Sequence, residues 1–131
     1  MNYSSVENHE TLARFVLRAK WVREDRTIRQ DAFMPASNLE LSVTRHYSLA
    51  EDLWNVAATV AQLRRLDLLG RADVKAQKVR INRPLDVHPA PINTDFNHAN
   101  IVNWPENKAF QKMSAIKIAA DSVFIEKPKN K

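Results

Sequence analysis

The sequence of 131 residues contains no cysteine and a single glycine, Gly70. The absence of cysteine excludes disulfide frameworks, thiolate zinc sites, iron–sulfur clusters and thiol nucleophiles. A single glycine excludes phosphate-binding loops and dinucleotide fingerprints, because several residues without a Cβ are needed before backbone N–H groups can close around a phosphate. The G-x-S-x-G elbow of hydrolases is excluded on the same ground. Nucleotide-driven motors, Rossmann oxidoreductases and α/β-hydrolases are therefore not expected.

Long apolar runs are lacking as well. No stretch approaches the ~18 consecutive apolar residues of a membrane span, and the first residues lack the basic flank and apolar run of a signal peptide. The apolar fraction of 44% and the charged fraction of 27% are ordinary for a globular protein. We therefore expect a soluble, cytoplasmic protein that forms one domain over residues 1–131. Residues 1–9 are predicted to be a flexible arm, and residues 126–131 a disordered lysine tail.

The hydrophobic pattern predicts three elements most clearly. Apolar and polar residues alternate over 39–44, which is typical of a half-buried strand. Ser48 and Glu51 form a capping box, and the apolar stripe that follows predicts a helix over 49–66. A second helix is expected to begin at the proline of position 105 and to continue to about residue 124.

Weaker patterns complete the predicted fold. They indicate a loop over 84–96 and strands at 14–19, 27–33, 72–76 with a continuation to 81, and 99–102. The whole pattern predicts an α+β domain. Its sheet is expected to be small, mixed and mainly antiparallel, with four or five strands and two main helices.

Positive charge is concentrated between residues 64 and 83, and we call this stretch the basic segment. Its seven basic residues exceed its two acidic residues by five, which equals the formal net charge of the whole chain. This concentration predicts contact with the phosphates of nucleic acid, and a solvated edge strand is the alternative. The predicted contact residues are Arg64, Arg65, Arg71, Lys75, Lys78, Arg80 and Arg83.

Histidine chemistry suggests a second function. His98 and His46 are candidates for an acid–base pair, with Arg45 or Arg14 holding a phosphate or a developing oxyanion. Such a group would act on phosphodiester or nucleotide substrates without a metal. The structural alternative is that these histidines bind loop backbone at strand ends. The sequence alone does not decide whether His46, His88 and His98 converge.

Two further possibilities remain from the sequence. A metal site can be drawn from Asp86, His88, Asp95 and His98, but their spacing matches no standard site, so we predict neither a metal nor another cofactor. The helical layer is also suited to contact with a protein partner, as in an accessory subunit.

Three short motifs resemble a group of small uncharacterised bacterial proteins. They are Asp31-Ala32-Phe33-Met34-Pro35, Leu39-Glu40-Leu41-Ser42-Val43 and Asn97-His98-Ala99-Asn100-Ile101-Val102. The resemblance spans most of the chain. It implies a bacterial or phage-related single-domain protein in which His98 and the strand around Ser42 belong to one recurring design. It implies no catalytic residue, because the group has none assigned.

Overall fold

The computed structural model describes residues 4–46 and 50–129, the side chains of 50–52 excepted. In this part of the chain six strands form one antiparallel sheet in the order β4-β5-β2-β1-β3-β6. The strands are β1 (Thr11–Val16), β2 (Leu41–Arg45), β3 (Gly70–Lys75), β4 (Asp86–Pro89), β5 (His98–Val102) and β6 (Val123–Glu126). The helices are α1 (Ala50–Arg64), α2 (Ala76–Arg80) and α3 (Lys108–Ala120). The α+β class is confirmed, with one strand more than the upper prediction and a third, short helix.

Strand β1 lies near the centre of the sheet and is covered on both faces. Leu12 and Val16 belong to the larger core, which also contains buried residues of α3. Ala13 and Phe15 belong to a smaller core beneath α1. Since successive side chains of a strand point to opposite faces, β1 separates the two cores. The smaller core consists of Ala13, Phe15, Leu17, Leu53, Ala57 and Ala61.

Several predicted elements are confirmed. The strands at 39–44 and 99–102 and the helix at 49–66 correspond to β2, β5 and α1, to within two residues at each end. The strand at 72–76 corresponds to β3. The capping box at Ser48 and Glu51 lies outside what the structure describes.

Other predictions are wrong. Residues Gln30–Phe33 form a 3-10 turn rather than a strand, with Ala32 and Phe33 buried inside it. The expected continuation of a strand to residue 81 is α2, and the expected loop at 84–96 contains β4. At Gln30–Phe33 the two buried apolar residues pack within a tight turn. Their spacing therefore does not indicate a strand.

The boundaries of two further elements differ from prediction. The strand expected at 14–19 is β1, which lies three residues earlier. The final helix begins at Lys108, where the Asn107 side chain accepts a hydrogen bond from the Phe110 N–H at 3.1 Å. It ends at Ala120, and β6 follows where helix was expected. An asparagine cap, not the proline of position 105, sets the helix start. No helix of the described residues has the length and apolar character to cross a bilayer.

Candidate ligand-binding site

A cavity of about 230 Å³ lies between the sheet, the end of α1 and the loop before β5. We call it the arginine cavity, because Arg14, Arg18 and Arg64 line it. Most of its remaining wall is apolar, which is typical of sites for small organic molecules. The apolar residues that enclose it include Phe15, Leu17, Trp21, Val60, Leu63 and Ile92.

Arg14 is the inner cation of the arginine cavity. Its Nε donates to the carbonyl oxygen of Ala32 at 2.8 Å, and its Nη1 donates to the carbonyl oxygen of Ser42 at 3.2 Å. Its Cζ lies 5.4 Å from the centre of the Trp21 ring. Burial, followed by repulsion from Arg64, lowers the pKa of Arg14 to about 10, so the guanidinium still carries its charge at neutral pH. Within the described residues no carboxylate lies within 4 Å of it.

Arg18 and Arg64 are exposed and lie at the edge of the arginine cavity. Arg18 directly precedes the 3-10 turn Ala19–Trp21, and Arg64 is the last residue of α1. Neither forms an ion pair with a carboxylate in the described part of the chain. Three positive charges thus meet at one cavity, and none of them is paired with an acid of the described residues.

Asp95 lines the same cavity, and its carboxylate accepts two hydrogen bonds from nearby residues. The Thr44 hydroxyl donates to Asp95 Oδ2 at 2.6 Å, and the Asn97 N–H donates to Asp95 Oδ1 at 3.0 Å. Burial raises the pKa of Asp95, and this effect exceeds the lowering by the two hydrogen bonds and by His98. Burial of this carboxyl group therefore opposes its ionisation.

Besides Arg14, His98 is the predicted catalytic candidate that lines the arginine cavity. Its Nδ1 lies 2.9 Å from the carbonyl oxygen of Ala90. Because a carbonyl oxygen only accepts hydrogen bonds, Nδ1 carries the proton, and in the neutral ring Nε2 keeps its lone pair. A neutral His98 can thus accept a proton or a hydrogen bond at Nε2.

The other two catalytic candidates lie elsewhere. The Nε2 atom of His46 is 3.2 Å from Asp73 Oδ1, and Asp73 is also bound by Arg71. Arg45 is buried and donates from Nε and Nη2 to the Glu10 carboxylate, at 2.8 Å in each case. No contact joins His98 and His46 in the described structure. Acid–base catalysis by the two histidines together stays a prediction.

The Arg45–Glu10 pair holds the N-terminal segment, residues 4–10, against the sheet. Arg45 also donates from Nη1 to the Ser4 carbonyl oxygen at 2.8 Å, and from Nη2 to that of Ser5 at 3.1 Å. Glu10 accepts the Glu7 N–H at 2.8 Å. Burial alone raises the pKa of Glu10, but the hydrogen bonds from Arg45 and the Glu7 N–H outweigh it and leave the pKa below its ordinary value.

Three members of the basic segment are bound to other groups of the protein. Arg71 is bound to Asp73 and stacks 4.7 Å from the centre of the Trp54 ring, and Arg80 Nε lies 2.7 Å from Asp86 Oδ1. Lys75 Nζ donates to the His9 carbonyl oxygen at 3.1 Å. The exposed members that form no ion pair with a carboxylate of the described residues are Arg64, Arg65, Lys75, Lys78 and Arg83.

Apart from Lys75, the last residue of β3, the exposed members of the basic segment flank this strand in the sequence. Arg64 and Arg65 precede this strand, whereas Lys78 and Arg83 follow it. A strand of this length spans roughly 20 Å. Nucleic-acid binding through the segment stays a prediction, and a ligand would have to reach both ends of the strand to contact all of these residues.

The four residues of the possible metal site, Asp86, His88, Asp95 and His98, fall into two separate pairs. Asp86 Oδ2 lies 3.3 Å from His88 Nε2 on β4, while Asp95 and His98 line the arginine cavity. No group of three or more His, Asp or Glu residues suited to hold a metal ion occurs among the residues that the structure describes.

A larger hollow of about 820 Å³ lies beside the hairpin that follows the first 3-10 turn. Its charges are balanced, because three basic side chains face three acidic ones. The charged residues that line it are Lys20, Arg23, Arg29, Glu24, Asp25 and Asp31. The arginine cavity is therefore the stronger candidate for a charged ligand.

Comparison with protein-family models, with curated proteins and with solved structures finds no significant match to this chain.

Proposed function

We propose that this protein binds a small organic anion in the arginine cavity. One observation carries the proposal: Arg14 is a half-buried cation that lines a largely apolar cavity, and among the described residues its hydrogen bonds go to two backbone carbonyls and to no carboxylate. Removing a cation from water is costly unless a negative charge compensates it. An anionic ligand would supply that charge.

The apolar wall supports the same proposal. Phe15, Trp21 and Leu63 can pack against a hydrocarbon or aromatic body, while the guanidinium groups hold the charged end. A cavity of about 230 Å³ is slightly smaller than most ligand sites, which favours a compact ligand over a polymer. The ligand class is thus an apolar body with one anionic group.

Replacement of Arg14 by methionine is expected to weaken binding of 8-anilinonaphthalene-1-sulfonate by at least about tenfold. Methionine keeps much of the side-chain volume but removes the charge-assisted hydrogen bond to the sulfonate. Binding is measured from the rise in fluorescence of the probe and checked by calorimetry. Arg83→Met is the matched control, because Arg83 is exposed and does not line the cavity.

A second variant tests the proposal even if Arg14→Met fails to fold. Leu63 is 68% exposed at the edge of the cavity, so Leu63→Asp should leave stability nearly unchanged and repel the anion. Thermal unfolding of each variant is recorded beside binding. If folded Arg14→Met and Leu63→Asp proteins both bind the probe as tightly as the wild type, the proposal is wrong.

Acid–base catalysis on the bound ligand is a second candidate function. It is favoured by the position of His98 in the arginine cavity with Nε2 unprotonated in the neutral ring. His98 would act as the base, and Arg14 rather than Arg45 would hold a phosphate, since Arg45 is occupied by Glu10. His46 would take no part, because it is bound to Asp73 outside the cavity.

Nucleic-acid binding is a separate proposal, favoured by the exposure of Lys78 and Arg83. We expect Lys78→Glu combined with Arg83→Glu to weaken binding to single-stranded RNA and to lower the slope of log affinity against log salt by about 1.4, since two phosphate contacts are lost. Fluorescence anisotropy across a salt series measures both quantities. Lys127→Glu combined with Lys129→Glu changes the charge equally outside the segment. Equal effects of the two pairs would reduce the proposal to general electrostatic attraction.

A further inference from the structure

The arginine cavity carries more positive charge than one carboxylate would neutralise. Arg14, Arg18 and Arg64 contribute three positive charges, and among the described residues Asp95 is the only acidic one that lines the cavity. With Asp95 ionised and His98 neutral, the formal charge of the lining is plus two. A fully ionised phosphate monoester carries minus two, whereas a carboxylate or sulfonate carries minus one.

The placement of the three arginines also fits a phosphate. Two Arg14 nitrogens donate to backbone carbonyls, and Nη2 makes no hydrogen bond to the described residues, so it remains for a ligand. Arg18 and Arg64 are exposed at the edge and can turn towards a group bound there. A phosphate offers three terminal oxygens to three guanidinium groups, while a carboxylate is already filled by one bidentate arginine.

Asp95 fixes where the phosphate would lie. An ionised Asp95 would repel the anion, so the phosphate belongs beside the arginines and away from Asp95, with the uncharged body against the apolar wall. We infer that the ligand of the arginine cavity is a phosphate monoester of a small apolar or aromatic alcohol. This inference rests on the function proposed above.

The test compares three anions that share one ring: 1-naphthyl phosphate, 1-naphthalenesulfonate and 1-naphthoate. Their affinities for the whole chain are measured by calorimetry at pH 8, where the phosphate is a dianion. We expect the phosphate to bind at least about tenfold more tightly than either monoanion. Arg64→Gln should weaken phosphate binding by about fivefold and sulfonate binding by less than about twofold. Arg83→Gln, the control, should change neither.

The outcomes separate this inference from the proposed function. Equal affinity for the three anions overturns the phosphate assignment and leaves anion binding in place. A phosphate preference that Arg64→Gln and Arg18→Gln both leave unchanged also overturns it, because the dianion would then be held elsewhere. Binding of none of the three anions overturns the proposed function itself.

Discussion

Replacement of Glu10 by glutamine is expected to lower the free energy of unfolding by about 3 kcal/mol. The substitution keeps the shape of the side chain but leaves the buried guanidinium of Arg45 facing an uncharged amide. The Ser4 and Ser5 carbonyls would also lose a rigidly held donor, which loosens the N-terminal segment. Denaturant unfolding measures the loss. Glu126→Gln is the control, since it breaks an exposed ion pair with Arg26 and should cost less than about 1 kcal/mol.

The same pair predicts a pH dependence. The pKa of Glu10 is lower in the folded protein than in the unfolded chain, where carboxyl groups of this kind titrate near about 4.3. The stabilisation is therefore complete above that value and is lost as the pH falls through the folded pKa. Wild type should lose stability more steeply than Glu10→Gln below about pH 4.5. Parallel curves for the two proteins in this range would show that the ionised Glu10 adds nothing.

Replacement of Gly70 by alanine is expected to cost about 3 kcal/mol. An added Cβ would lie 2.3 Å from the Ile125 carbonyl oxygen and 2.7 Å from Cε1 of Phe124, so β6 has to move away from β3. Backbone strain is not the cause, because Gly70 has no positive φ. Thermal unfolding measures the loss, and amide exchange of residues 123–126 reports the displaced strand.

Val123→Ala is the matched control for the glycine variant, because it truncates a side chain of β6 that is 60% exposed. It should change stability by less than about 1 kcal/mol. A Gly70→Ala protein whose β6 amides stay fully protected would show that the backbone near Ile125 accommodates the methyl group without loss of pairing.

The sequence predicted those elements whose pattern depends on one buried face. Leu41 and Val43 alternate with polar residues in β2, and α1 presents one apolar stripe, so both were correctly located, although Thr44 and Arg45 at the end of β2 are buried too. β1 was misplaced because both of its faces are buried, which removes the alternation. The turn at Gln30–Phe33 was misassigned because its two buried residues serve a compact turn against α3.

The candidate site was less accessible to prediction. Arg14 is the only charge in the otherwise apolar run from 12 to 17, and that isolation is the one local signal for the arginine cavity. Nothing in the sequence joins it to Arg64 at the end of α1 or to Asp95 in the loop before β5. The ion pair of Arg45 was not foreseen for the same reason, because its partner Glu10 lies 35 residues away. Which residues meet at the cavity depends on the order of the strands in the sheet, and hydrophobic periodicity does not predict that order.

The smaller core beneath α1 has a consequence for how quickly a ligand can enter. Two of the three buried α1 residues in that core are alanines, Ala57 and Ala61, which lose little contact area when a helix moves outward. The same helix supplies Val60 and Leu63 to the cavity wall. Outward movement of α1 would widen the entrance while the larger core on the opposite face of the sheet stays packed. A wider entrance would speed both entry and release of a ligand, whereas packing of the ligand's apolar body against this helix would slow its dissociation.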